Sequence, residues 1–244
     1  DGFEPIVVSN GGVLTYQLKE NEIKHIQLPV NSKNPFIIYS NIEKIVKLIE
    51  EFKVDLIHVR SRAPMWSAYF AAKKTNTKII TTVHGTYSVQ NRLKKFYNAI
   101  MLKADAIIVV SNFIKEYLIK NYQFKNKEFP LEKITVIQRG VDLNYFDCTR
   151  VSTNWKIQTS TKWGIPEDKK IILMPARFTA WKGHEFFIDA LSKVKNDFYC
   201  VMVGSDHGHK KFRKKLENKI IKQNLASKIK IVGLCKDMTV AYAI

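Results

Sequence analysis

Two basic side chains and a glycine fall within one short turn of the sequence, in the stretch PARFTAWKGH at residues 175–184. Arg177 follows the apolar run KIILM, and Lys182 and Gly183 come directly before a segment with the spacing of an amphipathic helix. A helix N-terminus presents free N–H groups and a partial positive charge. Arginine adds a planar fork of donors, lysine adds a mobile charge, and glycine lets a ligand approach the backbone. This combination is typical of a site for a phosphate or a diphosphate.

The same turn also has a simpler interpretation, in which both cations are ordinary charges on the surface of a loop. The stretch is not a P-loop, because the pattern G-x-x-x-x-G-K-[ST] is absent from it. From these residues alone, the anion site and the surface loop both stay open.

Other candidate residues follow the remaining apolar runs, at the strand ends where open α/β sheets bind their ligands. They are Arg60 and Arg62 after DLIHV, His84 after KIITTV, Arg139 after KITVIQ, and Gly204 after FYCVMV. A neutral imidazole can donate a hydrogen bond or take part in proton transfer, and paired arginines suit an anionic ligand. Each of these residues also has an interpretation without a ligand. Arg60 and Arg62 would be charges at the rim of the sheet, His84 would be hydrogen-bonded to the backbone, and Arg139 and Gly204 would belong to ordinary turns.

The elements that would carry these residues alternate between short apolar runs and segments of helical period. The apolar runs are continuous, which indicates strands that are buried on both faces of a parallel sheet. This rhythm breaks in the polar segment 146–165 and then restarts. We therefore predict an α/β fold of two doubly wound parallel-sheet units, with residues 1–145 in the first, 146–165 as a linker and 166–244 in the second.

The composition limits the class of protein. The chain has 244 residues, 45% of them hydrophobic, and no apolar run approaches the length of a membrane span, ~18–20 residues. Its net charge of +18 indicates an anionic partner, or else a general bias toward lysine. The basic residues are dispersed and form no nucleic-acid-binding module, so we expect no nucleic-acid partner. Three widely spaced cysteines predict neither a disulfide framework nor a metal site, and a reducing compartment fits them best.

Against this background, MPARFTAWKGHEFFIDAL resembles the donor-binding segment of the family 4 glycosyltransferases, which have the two-domain GT-B fold. Further stretches match that family in order: DLIHVRSRAPMWSA, TTVHG, ADAIIVVSNFIKEYL, VIQRGVD and VGSDHG. The stretches HVRSRAP and FTAWKGH are most similar to the bacterial branch that acts on lipopolysaccharide or other cell-envelope lipids.

The resemblance implies a role for each candidate residue. A nucleotide-sugar donor would be bound by Arg177, Lys182, Gly183, Gly204 and Arg139, the transferred sugar would lie beside His84, and an anionic lipid or saccharide acceptor would be bound by Arg60 and Arg62. The family is retaining and needs no metal, so no cofactor is expected beyond the nucleotide-sugar substrate. Asp206, His207 and His209 share one short turn, which is poor geometry for a closed metal site. A sugar-nucleotide epimerase of the same fold and an inactive fragment remain alternatives.

The resemblance also predicts an internal fragment and a cytoplasmic location. In the family, a glycine-rich loop would precede residue 1 and a pair of glutamates would follow residue 244, so we expect this piece alone to bind donor weakly. The segment NRLKKFYNAIMLK, at 91–103, places cations beside apolar residues. It would lie either on an anionic inner-membrane surface or against the core of the domain.

Overall fold

The computed structural model of the protein describes residues 2–12, 14–87, 89, 91–122, 131–206, 208 and 210–244. The chain divides into two compact units, Asp1–Arg139 and Gly140–Ile244. In each unit, short strands alternate along the chain with helices, as the hydrophobic pattern predicts.

The first unit is built on parallel strands. They are β1 Ile6–Ser9, β2 Lys24–Gln27, β3 Leu56–Val59, β4 Lys78–Val83, β5 Ala106–Val109 and β6 Ile134–Val136. Its helices are α1 Thr15–Glu20, α2 Pro35–Glu51, α3 Arg62–Thr75, α4 Arg92–Ala99 and α5 Asn112–Asn121. β1 pairs with β2, and β3, β4, β5 and β6 form a second sheet in that order. Every one of these pairings is parallel, and most residues of β1, β3 and β5 are apolar, whereas β2 is largely polar.

Helix α2 shows how the sequence sets one element of this unit. The Asn34 side chain accepts a hydrogen bond from the backbone N–H of residue 36 at 2.9 Å and so caps the first turn. Ile42, Ile45 and Ile49 recur at helical spacing and are buried. They pack in one cluster with Ala71 of α3, so the apolar stripe holds the two helices together.

The order of the strands brings separate segments of the chain to one edge of the sheet. In parallel strands the carboxyl ends lie together, and Val59 at the end of β3 lies beside Thr81 of β4. Arg60 directly follows β3, His84 directly follows β4, and Arg139 lies three residues beyond the end of β6. Three of the candidate residues are therefore carried to the same edge by the topology alone.

The second unit has one parallel sheet in the order β7-β8-β9. Its strands are β7 Lys170–Pro175, β8 Phe198–Val203 and β9 Ile229–Gly233. Its helices are α6 Thr153–Trp163, α7 His184–Leu191, α8 Lys210–Lys222 and α9 Met238–Ala243.

The central strand β8 is buried along its whole length. One face carries Phe198, Cys200 and Met202 into a core with residues of α7 and α8. The opposite face carries Tyr199, Val201 and Val203 into a separate core that includes Trp163 and Ala241. Because successive side chains of a strand point to opposite faces, both faces of this sheet must be covered by helices.

The compact units divide after Arg139, a few residues before the predicted boundary at 145. Most of the segment predicted as a linker, 146–165, is helix α6. The α6 residue Trp163 is buried among β8 and α9 side chains, so this helix is part of the second unit. Most of its residues are polar, although Trp155 and Ile157 are exposed as well, so its sequence has no regular apolar stripe and resembles a linker.

Candidate functional site

The loop that carries Arg177 leaves the carboxyl end of β7 and stays close to the sheet. The Ala176 N–H donates to the Val203 carbonyl at 2.9 Å, and the Phe178 N–H donates to the Ser205 carbonyl at 3.0 Å. The chain then forms a 3₁₀ turn, Ala180–Lys182, which leads into α7. The loop therefore begins as an extension of the strand and ends at the start of a helix.

Gly183 joins this 3₁₀ turn to α7. Its φ of +78° lies in the left-handed region, where glycine is strongly favoured. A Cβ at this position would meet no atom within 4 Å, so the backbone angle, not crowding, is what requires glycine. Among the described residues no side chain caps the N-terminus of α7, and the N–H groups of its first turn are free of such a cap.

Arg177 and Lys182 both lie against the same aromatic side chain. The Arg177 guanidinium carbon is 5.9 Å from the centre of the Trp181 ring system, and the Lys182 ammonium is 4.1 Å from it. Trp181 is 70% exposed, and both cations are exposed as well. The two predicted phosphate ligands are thus held at one indole, although their role in binding a donor remains a prediction.

Gly204 supports this loop through an unusually close backbone contact. A Cβ placed on Gly204 would lie 2.0 Å from the Ala176 carbonyl oxygen and 2.8 Å from its carbon. The Gly204 N–H donates to the Gly233 carbonyl at 2.7 Å, which ties the same residue to β9. The glycine therefore lets the backbone before Arg177 pack directly on the turn after β8. Its predicted contact with the donor stays a prediction.

In the first unit, His84 lies within electrostatic reach of other basic residues. Burial lowers the pKa of His84, and the charges of Arg139 and Arg60 and the ring of His58 lower it further. Its Nδ1 atom is buried and has no hydrogen-bond partner among the described residues. The imidazole is consequently neutral at pH 7, with a ring nitrogen free to donate or accept.

His58 and Arg62 have partners within the first unit. His58 Nε2 lies 2.7 Å from the Thr82 hydroxyl, which links β3 to β4. Arg62 donates from Nη1 to the side-chain amide oxygen Oδ1 of Asn98 at 2.9 Å, and its guanidinium carbon lies 4.3 Å from the centre of the Tyr87 ring. Arg62 therefore joins the start of α3 to α4. Arg60 is exposed, and the predicted acceptor-binding role of both arginines remains a prediction.

Sequence reasoning overlooked two side chains of the loop at 177–184. Trp181 contacts both cations. Its position between Arg177 and Lys182 in the sequence is the pattern from which this contact could have been predicted. His184 is buried beneath the loop, and nothing in its spacing distinguishes it from a surface residue at a helix start.

A cavity of about 410 Å³ lies in the second unit, apart from the loop at 177–184. Its lining includes Asp142, Asp147 and Asp237, and each of these carboxylates accepts hydrogen bonds from the backbone of the residues that follow it. These carboxylates serve as local caps and turns. Of the predicted site residues, none lines this cavity.

Two further observations concern the part of the chain that the structure describes. It contains no group of three or more histidines, cysteines, aspartates or glutamates placed to hold a metal ion. His207 and His209 lie outside the described residues. Within the same residues, no helix has the length and apolar character needed to span a membrane.

Folds of parallel α/β units occur in several classes of enzyme, and family models assign this one to the glycosyltransferases. Residues 1–145 match the model of Glycosyltransferase Family 4, and residues 156–244 match that of Glycosyl transferases group 1. The chain belongs to glycosyltransferase family 4. The family predicted from its sequence motifs is thereby confirmed.

Solved structures share this fold. A glycosyltransferase from Rickettsia africae ESF-5 is 44% identical, with a TM-score of 0.84 over 100% of this chain and 63% of that chain. Anabaena Alr3699/HepE, solved in complex with UDP and glucose, is 16% identical, with a TM-score of 0.79 over 97% of this chain and 63% of that chain. These similarities confirm the predicted GT-B fold class.

A Bacillus subtilis (strain 168) protein, YtcC, which is named as a glycosyltransferase, is 26% identical over 204 residues. The match covers 80% of this chain and 47% of that protein. The chain thus spans about half the length of this relative and less than two thirds of each of the two solved chains.

Proposed function

We propose that the protein transfers a sugar from a nucleotide-sugar donor to a lipid or saccharide acceptor of the bacterial cell envelope, with retention of configuration. The observation that carries this proposal is the convergence of Arg177 and Lys182 on Trp181, at the uncapped start of α7. A departing nucleoside diphosphate is the anion that suits this arrangement. The UDP complex of the Anabaena neighbour supports a nucleotide as the ligand.

Hydrogen bonds from the two cations of the loop would stabilise a leaving group enough to affect the reaction rate. A hydrogen bond to a charged group contributes about 1.5–3 kcal/mol. Two such bonds that strengthen as the diphosphate departs would lower the barrier by about 3–6 kcal/mol, which is roughly two to four decades in rate. Positive side chains and helix N–H groups would then supply the stabilisation that a divalent cation supplies in other enzymes, so we propose a reaction without metal or cofactor.

The first unit would provide the acceptor side of the reaction. His84 is neutral at pH 7 and has an unpartnered ring nitrogen, so it can hydrogen-bond a sugar hydroxyl beside the reacting carbon. Exposed Arg60 is suited to an anionic acceptor, such as a phosphorylated lipid or an acidic sugar. Arg62 would act mainly by holding α3 and α4 in place.

Nucleotide binding to the loop is tested by calorimetric titration of the chain with UDP. We expect Arg177→Ala and Lys182→Ala each to weaken the affinity by about tenfold or more, since each removes a charge-assisted hydrogen bond. The matched control is Lys228→Ala, which removes another cation that lies over an aromatic ring, 5.3 Å from the centre of Phe198, at the opposite end of the sheet. Equal UDP affinity in all four proteins would refute the diphosphate site.

A sugar-nucleotide epimerase of the same fold is the alternative function. An epimerase and a transferase differ in what they need to release the nucleotide. We expect free nucleoside diphosphate to form only when an acceptor is added. Conversion of the donor sugar without any acceptor would favour the epimerase instead.

We further propose that the protein acts at the cytoplasmic face of an anionic membrane, through the surface of α3 and α4. The chain has no aspartate or glutamate between Asp55 and Asp105. The basic residues in this interval are Arg60, Arg62, Lys73, Lys74, Lys78, Arg92, Lys94, Lys95 and Lys103. Such a stretch is attracted to acidic lipid headgroups.

The apolar residues of the segment 91–103 divide into two groups. Ile100 and Met101 are buried in the core, whereas Leu93 and Phe96 are 77% and 68% exposed. The Phe96 ring is 5.8 Å from the half-buried ring of Trp66 on α3, so an aromatic contact joins the two helices at this surface. The core interpretation therefore holds for residues 100 and 101, and the exposed side chains at 93 and 96 support the proposed membrane contact.

Vesicle co-sedimentation tests this surface. We expect the chain to bind phosphatidylcholine vesicles only when they contain phosphatidylglycerol, and Phe96→Ser to bind them less. The control is Phe113→Ser on α5, which removes a phenylalanine that is 67% exposed outside this surface. Binding that is independent of anionic lipid, or equally reduced in both variants, would contradict a specific membrane face.

A further inference from the structure

Tyr87 lies three residues beyond His84, in the loop that follows β4, and two other side chains contact it. The Arg62 guanidinium, from the start of α3, lies over its ring, with the guanidinium carbon 4.3 Å from the ring centre. The Tyr117 hydroxyl of α5 donates to the Tyr87 carbonyl at 2.5 Å. Both tyrosines also pack against the same hydrophobic core of the first unit. The ring and the backbone of Tyr87 are therefore fixed by side chains from two different helices.

Arg62 can fix Tyr87 because its own position is set by a further contact. It donates from Nη1 to the side-chain oxygen Oδ1 of Asn98 at 2.9 Å, and Asn98 is a buried residue of α4. A guanidinium is planar, so it can donate hydrogen bonds in its plane while its face lies on an aromatic ring. Arg62 thereby links three segments, which are α3, α4 and the loop after β4.

The short segment between β4 and Tyr87 carries His84. Val83 ends β4, is fully buried and pairs with Val109 of β5. Only residues 84–86 separate this fixed strand end from Tyr87. Because an extended chain covers at most about 3.6 Å per residue, two fixed ends leave such a segment few positions. Contacts that fix Tyr87 therefore also limit where His84 can lie.

We propose that the contacts of Tyr87 with Arg62 and Tyr117 form a clamp that positions the loop after β4. Through this loop, the clamp sets the position of His84 at the end of the strand. The Nδ1 atom of His84 has no hydrogen-bond partner among the described residues, so the place of the ring depends on the backbone that carries it. The role of His84 in sugar transfer rests on the proposed function, whereas its positioning by the clamp does not. Arg62 then acts through Tyr87, and Arg60 is left as the candidate ligand of an anionic acceptor.

Three substitutions test the clamp. Tyr87→Leu fills apolar space against the core but presents no aromatic face to Arg62, whereas Tyr87→Phe keeps that face. Tyr117→Phe removes only the hydroxyl that donates to the Tyr87 carbonyl. The matched control is Tyr97→Phe on α4, which removes a buried hydroxyl that has no hydrogen-bond partner among the described residues. Thermal melting establishes that each variant is folded, and if Tyr87→Leu does not fold, Tyr117→Phe still tests the clamp.

The first measurement is amide hydrogen exchange over residues 84–87, without any ligand. We expect exchange in Tyr87→Leu and Tyr117→Phe to be about three- to tenfold faster than in the wild type, which corresponds to the loss of one such contact. We expect Tyr87→Phe and Tyr97→Phe to stay close to the wild type. Unchanged exchange in either of the first two variants, or equal acceleration in either of the last two, would overturn the proposal.

The second measurement is histidine NMR titration, which separates the positioning of His84 from a general loosening of the unit. Burial is the main cause that lowers the pKa of His84 below 6.5. We expect this pKa to rise toward 6.5 in the two clamp-breaking variants, because a loosened loop exposes the imidazole to water. His58 is the internal reference, since burial also lowers its pKa and its ring is bonded to the Thr82 hydroxyl rather than to the loop. An unchanged pKa of His84, or an equal rise for His58, would contradict positioning.

Calorimetric titration of the wild type with UDP distinguishes the failure of this proposal from the failure of the proposed function. If the wild type binds no UDP while the pKa of His84 rises in the clamp-breaking variants, the diphosphate assignment fails and the clamp stands. If UDP binds but neither the exchange nor the pKa of His84 changes, the clamp fails alone.

Discussion

Substituting Gly204 by alanine is the most direct test of how the second unit holds its candidate site. The added Cβ would lie 2.0 Å from the Ala176 carbonyl oxygen. A close carbon–oxygen contact in proteins is about 3.3 Å, so the backbone would have to separate by about 1.3 Å. The conformation of Gly204 is not in the left-handed region, so the clash with Ala176 is the main effect of the substitution.

This separation must occur next to a close-packed part of the core. Val203, the residue before Gly204, is 2% exposed, and β8 is buried from end to end. Overpacking of this kind costs about 1–3 kcal/mol, because the neighbouring strand and loop cannot move freely. The adjoining Arg177 would be displaced by a similar distance. A misplacement of about 1 Å in a binding site can cost up to two decades in rate.

We therefore expect Gly204→Ala to lower the free energy of unfolding by about 1–3 kcal/mol and to weaken UDP binding. Urea denaturation measures the first effect, and calorimetric titration measures the second. Gly140→Ala is the matched control, since its Cβ would meet no atom within 4 Å. A Gly204→Ala protein with the stability and the UDP affinity of the wild type would refute the close-contact argument.

Three further predictions follow from single side chains. Trp181→Ala should weaken UDP binding by about two- to fivefold for each cation that loses its contact with the indole. Trp181→Phe should keep part of the lost affinity, and equal affinities of these proteins in calorimetry would contradict the prediction. Histidine NMR titration should give His84 a pKa below 6.5, and Arg139→Gln should raise it, because it removes one of the charges that disfavour the imidazolium. Burial raises the pKa of the Cys200 thiol to about 12, so iodoacetamide should modify exposed Cys148 first, and labelling at Cys200 in the folded chain would be inconsistent with the structure.

The amino-acid sequence by itself determined the kind of fold and the position of its loops. Continuous apolar runs predicted parallel sheets with both faces covered, and β8 is such a strand. The placement of Arg177, Lys182 and Gly183 between a strand and a helix was also evident, because strand ends and helix starts are marked by local spacing. These features depend on residues close together in the chain, so a single sequence is enough to read them.

Contacts between distant residues were decided only by the tertiary structure. Helix α6 belongs to the second unit because Trp163 packs beside β8. The spacing of residues within α6 does not predict this contact. In the same way, Arg62 is held by Asn98, thirty-six positions away, rather than free at a rim. The contact between Gly204 and Ala176 exists only once two strands are adjacent. The physical reason is that hydrophobic periodicity specifies which face of an element is buried, whereas the partner on that face is chosen by close packing of the whole unit.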